Sequence, residues 1–254
     1  GVARMAISVD GADAAEHDRF RGVVGAFERS LSALGWARGA GLETQINTTV
    51  TRRNYRRLGE IARLVAEADA RLWSVFFLIA TGRASREDDL SAEEYEEVFE
   101  FLYRLAGDAP FDLKTTEAQH YRRFAAQRRK ADGGARRAAG TPGAVARGAG
   151  INDGKGLVFI SHTGEVYPSG FLPLSAGNVR TESLGEIYRE SPLFRALRQP
   201  GEFRGKCGVC EYRNLCGGSR SRAYALFGDA FGSDPRCAYV PPAWTPDGDA
   251  EVAR

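Results

Sequence analysis

Apolar and polar positions along the first hundred residues form three successive units, each with a strand pattern that gives way to a helix pattern. The strand patterns cover Arg4 to Val9, Glu43 to Val50 and Leu72 to Ile79. The helix patterns cover Gly25 to Arg38, Tyr55 to Ala68 and Ala92 to Leu105, the last preceded by Ser91 with Glu94 three residues later, a capping-box pattern. One more strand is predicted over Phe111 to Thr115.

Repeated βα units require right-handed crossovers and a parallel sheet, so this half is predicted to be an α/β barrel or a doubly wound sheet. Ligands of such sheets bind at the carboxyl ends of the strands. Ser8 and Asp10 follow the first strand, and Asn47 lies near the end of the second. Three units cannot close a barrel by themselves.

The rest of the chain is predicted to form a linker followed by a smaller domain. Residues 127–150 are rich in Arg, Ala and Gly and nearly devoid of large apolar residues, which predicts a flexible linker. A hairpin follows, with strands at Leu157 to Ser161 and Glu165 to Tyr167, and helices are predicted at Leu184 to Leu197 and Ser221 to Phe227. The expected domains are therefore 1–126, the linker 127–150, and 151–254.

Composition and charge exclude several classes of partner. The 254 residues are 43% hydrophobic and 27% charged, and their formal net charge is only +2, so no global field favours nucleic acid or a membrane. No apolar run approaches the roughly 20 residues that cross a bilayer, and a cytoplasmic location is expected. The chain starts inside a strand pattern without an initiator Met, which suggests an N-terminally truncated fragment.

Four cysteines lie within a short part of this long chain, namely Cys207, Cys210, Cys216 and Cys237. This distribution favours one metal site over two disulfides. A CxxC pair can direct two sulfurs at one metal, and the glycines nearby let backbone N–H groups approach sulfur. Spacing alone leaves zinc and an iron–sulfur cluster both open.

Several segments together resemble radical S-adenosylmethionine (SAM) enzymes with a C-terminal SPASM or Twitch cluster domain. The stretch from Gly150 to Gly156 and that from Ile160 to Gly170 look most like the group involved in haem and haem d1 biosynthesis. Ser8-Val9-Asp10-Gly11 and His17 to Gly22 look like the fourth barrel strand and its loop. The resemblance implies the C-terminal part of a partial (β/α) barrel followed by a small α+β domain. It also implies a SAM-contacting set, which consists of Ser8, Asp10, Arg21, Asn47, Leu78 and Ile79.

The resemblance also bears on the cysteines, because the full pattern of the family has seven cysteines for two clusters. Ser169 stands where GxxxxC has its cysteine, and Arg220 stands where CxxxC has another. Both replaced positions serve the same cluster in the family. The four cysteines that remain are the ligand set of the other one, so the resemblance implies a single auxiliary [4Fe–4S] cluster.

The CxxxCxxC motif that binds the radical-generating cluster is absent from the printed sequence. The resemblance places it, with a second [4Fe–4S] cluster, in a full-length parent that uses SAM and a reductant such as ferredoxin or flavodoxin. The printed chain alone is then expected to be inactive.

The first functional hypothesis is a radical SAM oxidoreductase that modifies a tetrapyrrole by oxidative loss of propionate carboxyl groups, with the auxiliary cluster relaying electrons or binding substrate. One alternative is a peptide-modifying radical SAM maturase. Another is a non-catalytic, zinc-containing interaction module.

Ionisable residues just after the fourth strand are further candidates. His120 or Tyr121 could bind substrate or shuttle a proton, although an ordinary polar loop explains them as well. The basic run from Arg122 to Arg137 could bind propionates or phosphates, or could be a solvated flexible segment.

Overall fold

The computed structural model describes residues 1–82, 84–133 and 151–245. Its first half contains a four-stranded parallel sheet in the order β1-β2-β3-β4, the strands being Arg4–Ser8, Glu43–Val50, Leu72–Phe77 and Asp112–Thr116. All four predicted strands are therefore present. Ser8 lies opposite Asn47 in the register of the first pair of strands. An open parallel sheet of this kind agrees with part of a (β/α) barrel.

Helices connect the strands and cover the sheet, and their bounds are Ala14–Arg21 for α1, Ala26–Gly39 for α2, Leu58–Glu67 for α3 and Ala92–Asp108 for α4. The predicted capping box of α4 is present, with reciprocal hydrogen bonds between Ser91 and Glu94. The core between helices and sheet includes the fully buried side chains of Ile46, Trp73 and Phe99. This core fixes the strand ends on which the site is built.

Helix α1 was not predicted from the sequence, because its surface is polar on nearly every side. Its ends explain why it forms. The Asp13 side chain accepts a hydrogen bond from Glu16 N at 2.9 Å, and Gly22 ends the helix with a left-handed backbone at φ 70°.

Helix α5, Tyr121–Ala131, corrects two further expectations. The polar-loop alternative for His120 and Tyr121 is wrong, since these residues open a helix. The predicted linker began at Gln127, inside this helix, and the part of it from 134 to 150 lies outside the described residues. Tyr121, Phe124 and Ala125 are buried on one face of α5, and that face packs on the core.

The second half is built from short elements. Strands β5 (Phe159–Ile160) and β6 (Val166–Tyr167) form the predicted hairpin, shorter than expected. The single helix predicted over Leu184 to Leu197 is two helices, α6 (Leu184–Glu190) and α7 (Pro192–Leu197). Ser191 between them has an extended backbone, as residues before proline usually do. Helices α8 (Gly205–Val209) and α9 (Arg220–Phe227) follow.

The two halves are in direct contact. Ser219 Oγ donates to Glu117 Oε2 at 2.9 Å, and Arg236 Nε lies 2.7 Å from Asp89 Oδ2. All these side chains except Arg236, which is partly buried, have less than a tenth of their surface exposed. The second half is therefore fixed over the carboxyl ends of the strands. No helix in the described part of the chain is both long enough and apolar enough to cross a membrane.

Candidate functional site

The carboxyl ends of β1 and β2 bring four of the predicted SAM-contacting residues together. Ser8 is the last residue of β1, and its register partner Asn47 lies in β2. The Asn47 side-chain oxygen accepts a hydrogen bond from Gln45 Nε2 at 2.7 Å. Asp10 and Arg21 complete the group, on the loop after β1 and on the last turn of α1.

Asp10 makes several contacts in and around this group, and its side chain is fully buried. Its Oδ1 accepts a hydrogen bond from Thr49 N at 2.7 Å, and its Oδ2 forms an ion pair with Arg21. Its backbone N donates to His17 Nδ1 at 3.0 Å, and Asn54 Nδ2 donates to its carbonyl at 2.9 Å. Burial raises the pKa of Asp10, and the Thr49 amide and the Arg21 guanidinium oppose that rise. The carboxylate thus orients Arg21 at the strand ends.

Leu78 and Ile79 follow directly after β3, which ends at Phe77. Ile79 is buried and Leu78 is partly buried. Their position one strand further along the same sheet edge is compatible with the predicted contact to adenine, which stays a prediction.

The four cysteines surround one cavity in the second half. Cys207 lies in α8, Cys210 directly after it, and Cys216 and Cys237 in the loops on either side of α9. All are free thiols and partly buried. Among the described residues, no three His, Cys, Asp or Glu side chains are arranged to hold a single metal ion. The thiols line the walls of the cavity instead.

Hydrogen-bond donors point at two of the sulfurs. Gly218 N lies 3.3 Å from Cys216 Sγ, and Asp234 N lies 3.4 Å from Cys207 Sγ. Gly218 has φ +64°, and a Cβ there would lie 3.0 Å from Cys207 Sγ, so only glycine fits this approach of backbone to sulfur.

Buried positive charge surrounds the same cavity. Arg220 is fully buried, and its Nη2 lies 3.4 Å from Cys207 Sγ. No salt bridge joins Arg220 to a carboxylate within the described residues. Arg123 of α5 and Lys206 also line the cavity. A buried cation needs a compensating anion, and four thiolates around an iron–sulfur core supply a net negative charge. The residues present therefore fit an anionic cluster.

Burial raises the pKa of three of the thiols, those of Cys210, Cys216 and Cys237. Burial raises the pKa of Cys237 to about 11 and that of Cys216 further still. A bound metal reverses this, because its positive charge favours the thiolate.

The two positions where the family pattern has further cysteines have other roles. Ser169 is buried, and its Oγ lies 3.1 Å from that of Ser221, which donates to Asp153 Oδ1 at 2.7 Å. Arg220 reaches the retained cysteines, as described above. A hydrogen-bond network and a cation thus occupy the places of the missing ligands.

A second cavity, of about 280 Å³, opens at the carboxyl end of β4. It is lined by residues 114–119, Tyr121 and Arg122 from the first half and by residues 151–153, 156 and 157 from the second. Of the two candidates after β4, Tyr121 lines this cavity, whereas His120 is fully buried against the cysteine cavity. No local pattern predicted that Asp153 approaches this cavity, because the contact joins distant segments.

A family model described as an iron–sulfur cluster-binding domain, SPASM, matches residues 152–212, which include Cys207 and Cys210. The crystal structure of Streptococcus suis SuiB bound to S-adenosylmethionine superposes with a TM-score of 0.64 at 14% identity. The match covers 93% of this chain and 54% of that one. At this identity the likeness shows the fold, which is the one predicted.

Sequence relatives are closer. The chain is 47% identical to the AdoMet-dependent heme synthase of Nitratidesulfovibrio vulgaris, over 97% of this chain and 67% of the relative. It is 42% identical to that of Methanosarcina barkeri, over 95% of this chain and 69% of the relative. The PqqA peptide cyclase of Rhizobium meliloti is 29% identical, over 95% and 61%. The chain therefore belongs to the radical SAM enzymes with a SPASM iron–sulfur domain, in the family of the AdoMet-dependent heme synthases.

Proposed function

We propose that this chain forms the SAM-contacting strands and the auxiliary-cluster domain of a cytoplasmic enzyme that removes propionate carboxyl groups from a tetrapyrrole. Cys207, Cys210, Cys216 and Cys237 hold one [4Fe–4S] cluster. Ser8, Asp10, Arg21, Asn47, Leu78 and Ile79 lie on the SAM side of the sheet. The relatives at 47% and 42% identity are named heme synthases, and the peptide cyclase is less similar at 29%, which supports a tetrapyrrole over a peptide.

The observation that carries this proposal is the cavity at the end of β4, because both halves of the chain line it. The strand ends lie on one side of it and the first residues of the cluster domain lie on the other. At about 280 Å³ it is near the lower limit for small-molecule sites, ~300 Å³. It therefore has room for one carboxylate-bearing edge of a macrocycle.

Loss of one propionate carboxyl as CO2 leaves a vinyl group and releases one proton and two electrons. When bound, SAM with its own cluster supplies a hydrogen-atom acceptor, and the auxiliary cluster supplies an acceptor for the remaining electron. All four cysteine thiols line the cluster cavity, so four protein ligands are at hand for the cluster, which favours electron transfer over direct substrate ligation. On the SAM side, the ion pair with Asp10 orients Arg21. On the cluster side, Arg123 lines the cavity and Arg220 lies next to Cys207, so both place positive charge near the cluster.

The test uses the full-length protein that contains this chain, reconstituted anaerobically with iron and sulfide. We expect two [4Fe–4S] clusters. With SAM and reduced flavodoxin or ferredoxin, an iron porphyrin bearing four propionates should lose carboxyl groups as CO2, measured by mass spectrometry of the porphyrin.

A colourless protein that holds zinc and no acid-labile sulfide would contradict the cluster assignment. SAM-dependent modification of a peptide, with the porphyrin unchanged, would establish the peptide-modifying alternative instead.

A further inference from the structure

Two cations line the cavity at the end of β4, and neither has a carboxylate partner in the part of the chain that the structure describes. Lys114 lies in β4 and is exposed, and Arg122 lies in the first turn of α5 and is partly buried. No salt bridge joins either side chain to an acid within the described residues. Cations that line a cavity and lack an internal counterion are the groups that bind anionic ligands.

One nitrogen of the Arg122 guanidinium is hydrogen-bonded to the backbone, and another remains free, within the described residues, to bind a ligand. Its Nη2 donates to the Ile151 carbonyl at 2.6 Å, and this bond fixes the side chain across the two halves. Its Nη1 is buried and has no hydrogen-bond partner among the residues that the structure describes. Burial lowers the pKa of Arg122 from its usual value, and the interaction with Cys216 opposes this. A buried N–H group without a partner is costly, and an anion in the cavity would satisfy it.

Two more buried polar atoms in the same cavity, Thr116 Oγ1 and Gln119 Oε1, have no hydrogen-bond partner within residues 1–82, 84–133 and 151–245. Most buried polar atoms in folded proteins are hydrogen-bonded, so three exceptions around one cavity mark a place built for a polar ligand. The Thr116 hydroxyl can donate to a carboxylate oxygen.

The acids that line the cavity do not cancel its positive charge. Burial raises the pKa of Glu117, and the negative charge of Asp153 raises it further, to about 8. Glu117 is therefore mostly protonated at neutral pH. Asp153 is bound by Ser221, which donates from its backbone N at 3.0 Å and from its Oγ at 2.7 Å. Among the described lining residues, Lys114 and Arg122 then outweigh the Asp153 carboxylate.

We propose that Arg122 and Lys114 bind a carboxylate of the substrate, with Arg122 as the principal contact. The inference rests on the proposed function, in which this carboxylate is a propionate of a tetrapyrrole. Because Arg123, the next residue of α5, lines the cysteine cavity, the bound carboxylate end of the substrate is placed near that cavity.

The test measures binding to the full-length, cluster-loaded protein by absorbance titration. The probes are an iron porphyrin with four propionates and the same porphyrin as its tetramethyl ester. The variants are Arg122→Gln, Arg122→Lys and Lys114→Gln. The control is Arg128→Gln, since Arg128 lies on the same helix but pairs with Glu100 away from the cavity. Iron and sulfide contents verify that each variant keeps its clusters.

We expect Arg122→Gln to weaken binding of the tetra-acid by about tenfold or more, the size of a charge-assisted hydrogen bond of ~1.5–3 kcal/mol. Lys114→Gln, at an exposed position, should weaken it a few-fold, and Arg122→Lys should retain part of the affinity. Binding of the ester should not change in any variant, and Arg128→Gln should behave as the wild type.

Equal affinity of the wild type, Arg122→Gln and Lys114→Gln for the tetra-acid would overturn this inference and leave the proposed function standing. Equal loss of affinity for acid and ester would also overturn it, because the residues would then shape the cavity without recognising the carboxylate. If the wild type binds neither porphyrin, the proposed function fails and the inference fails with it.

Discussion

Arg220 is a charged side chain with no exposed surface. Its Nη1 donates to the carbonyls of Ala230 at 3.0 Å and Gly232 at 2.7 Å, and its guanidinium lies over the ring of Phe203. None of these groups carries a negative charge. Burying an ion costs several kcal/mol unless an opposite charge compensates it. The sulfur of Cys207, at 3.4 Å, is the group that can become an anion on metal binding.

We therefore expect Arg220→Gln to weaken retention of the auxiliary cluster. Loss of a charge-assisted hydrogen bond, ~1.5–3 kcal/mol, predicts that iron is released to a chelator about tenfold faster or more. The measurement is the rate of iron release under anaerobic conditions, followed by the colour of the iron–chelator complex. Arg213→Gln is the matched control, because Arg213 lines the same cavity from an exposed position and donates to the Gly208 carbonyl. Equal rates in the wild type and Arg220→Gln would refute the electrostatic role.

Among the elements, helix α4 shows how a local sequence signal acts. Ser91 N donates to Glu94 Oε2 at 2.7 Å, and Glu94 N donates to Ser91 Oγ at 3.2 Å. The helix then buries Tyr95, Val98 and Phe99 against the sheet. The cap satisfies backbone groups that the helix itself leaves without partners.

Ser91→Ala should destabilise the start of α4 by about 0.5–2 kcal/mol, the usual effect of removing a serine cap. Faster hydrogen–deuterium exchange of the amides in the first turn of α4 measures this effect. Ser183→Ala is the control, because Ser183 precedes α6 without a side-chain capping bond and its loss should have a smaller effect on α6. Equal protection of α4 in the wild type and Ser91→Ala would contradict the role of the cap.

Elements with a strong apolar pattern were predictable from the sequence, and the polar ones were not. Strand β2 has the predicted bounds, because buried and less buried residues alternate along its whole length. Helix α5 was missed, because its basic residues dominate its composition although Tyr121 and Phe124, three residues apart, are buried. The predicted long helix from Leu184 divides at Ser191, where the proline that follows excludes a helical backbone.

At the scale of the whole molecule, the site depends on contacts that no local pattern contains. The four cysteines lie in one segment, so the sequence could identify them as a set. The contact of Ser219 with Glu117 joins residues 102 apart, and that of Arg236 with Asp89 joins residues 147 apart. Such pairs arise only when the second half packs over the strand ends. The orientation of Arg122 toward the β4 cavity has the same origin.

The Arg236–Asp89 pair connects the cluster to the sheet edge. Arg236 precedes Cys237, one of the four proposed cluster ligands, and its Nε lies 2.7 Å from Asp89 Oδ2. Asp89 is buried and also accepts a hydrogen bond from the Tyr95 hydroxyl at 3.2 Å. If Cys237 binds the cluster as proposed, the cluster also keeps Arg236 in contact with the segment before α4.

We expect removal of the auxiliary iron from the full-length protein to increase amide exchange at residues 86–95 as well as at 205–240, while residues 26–39 stay protected. In Asp89→Asn the ion pair is lost, so exchange at 86–95 should be faster before iron removal and should rise less after it. Asp88→Asn is the matched control, since Asp88 pairs with Arg53 within the first half and should respond to iron removal as the wild type does. If exchange at 86–95 is the same with and without the cluster, the two halves are not coupled through this pair, and the cluster stabilises only its own domain.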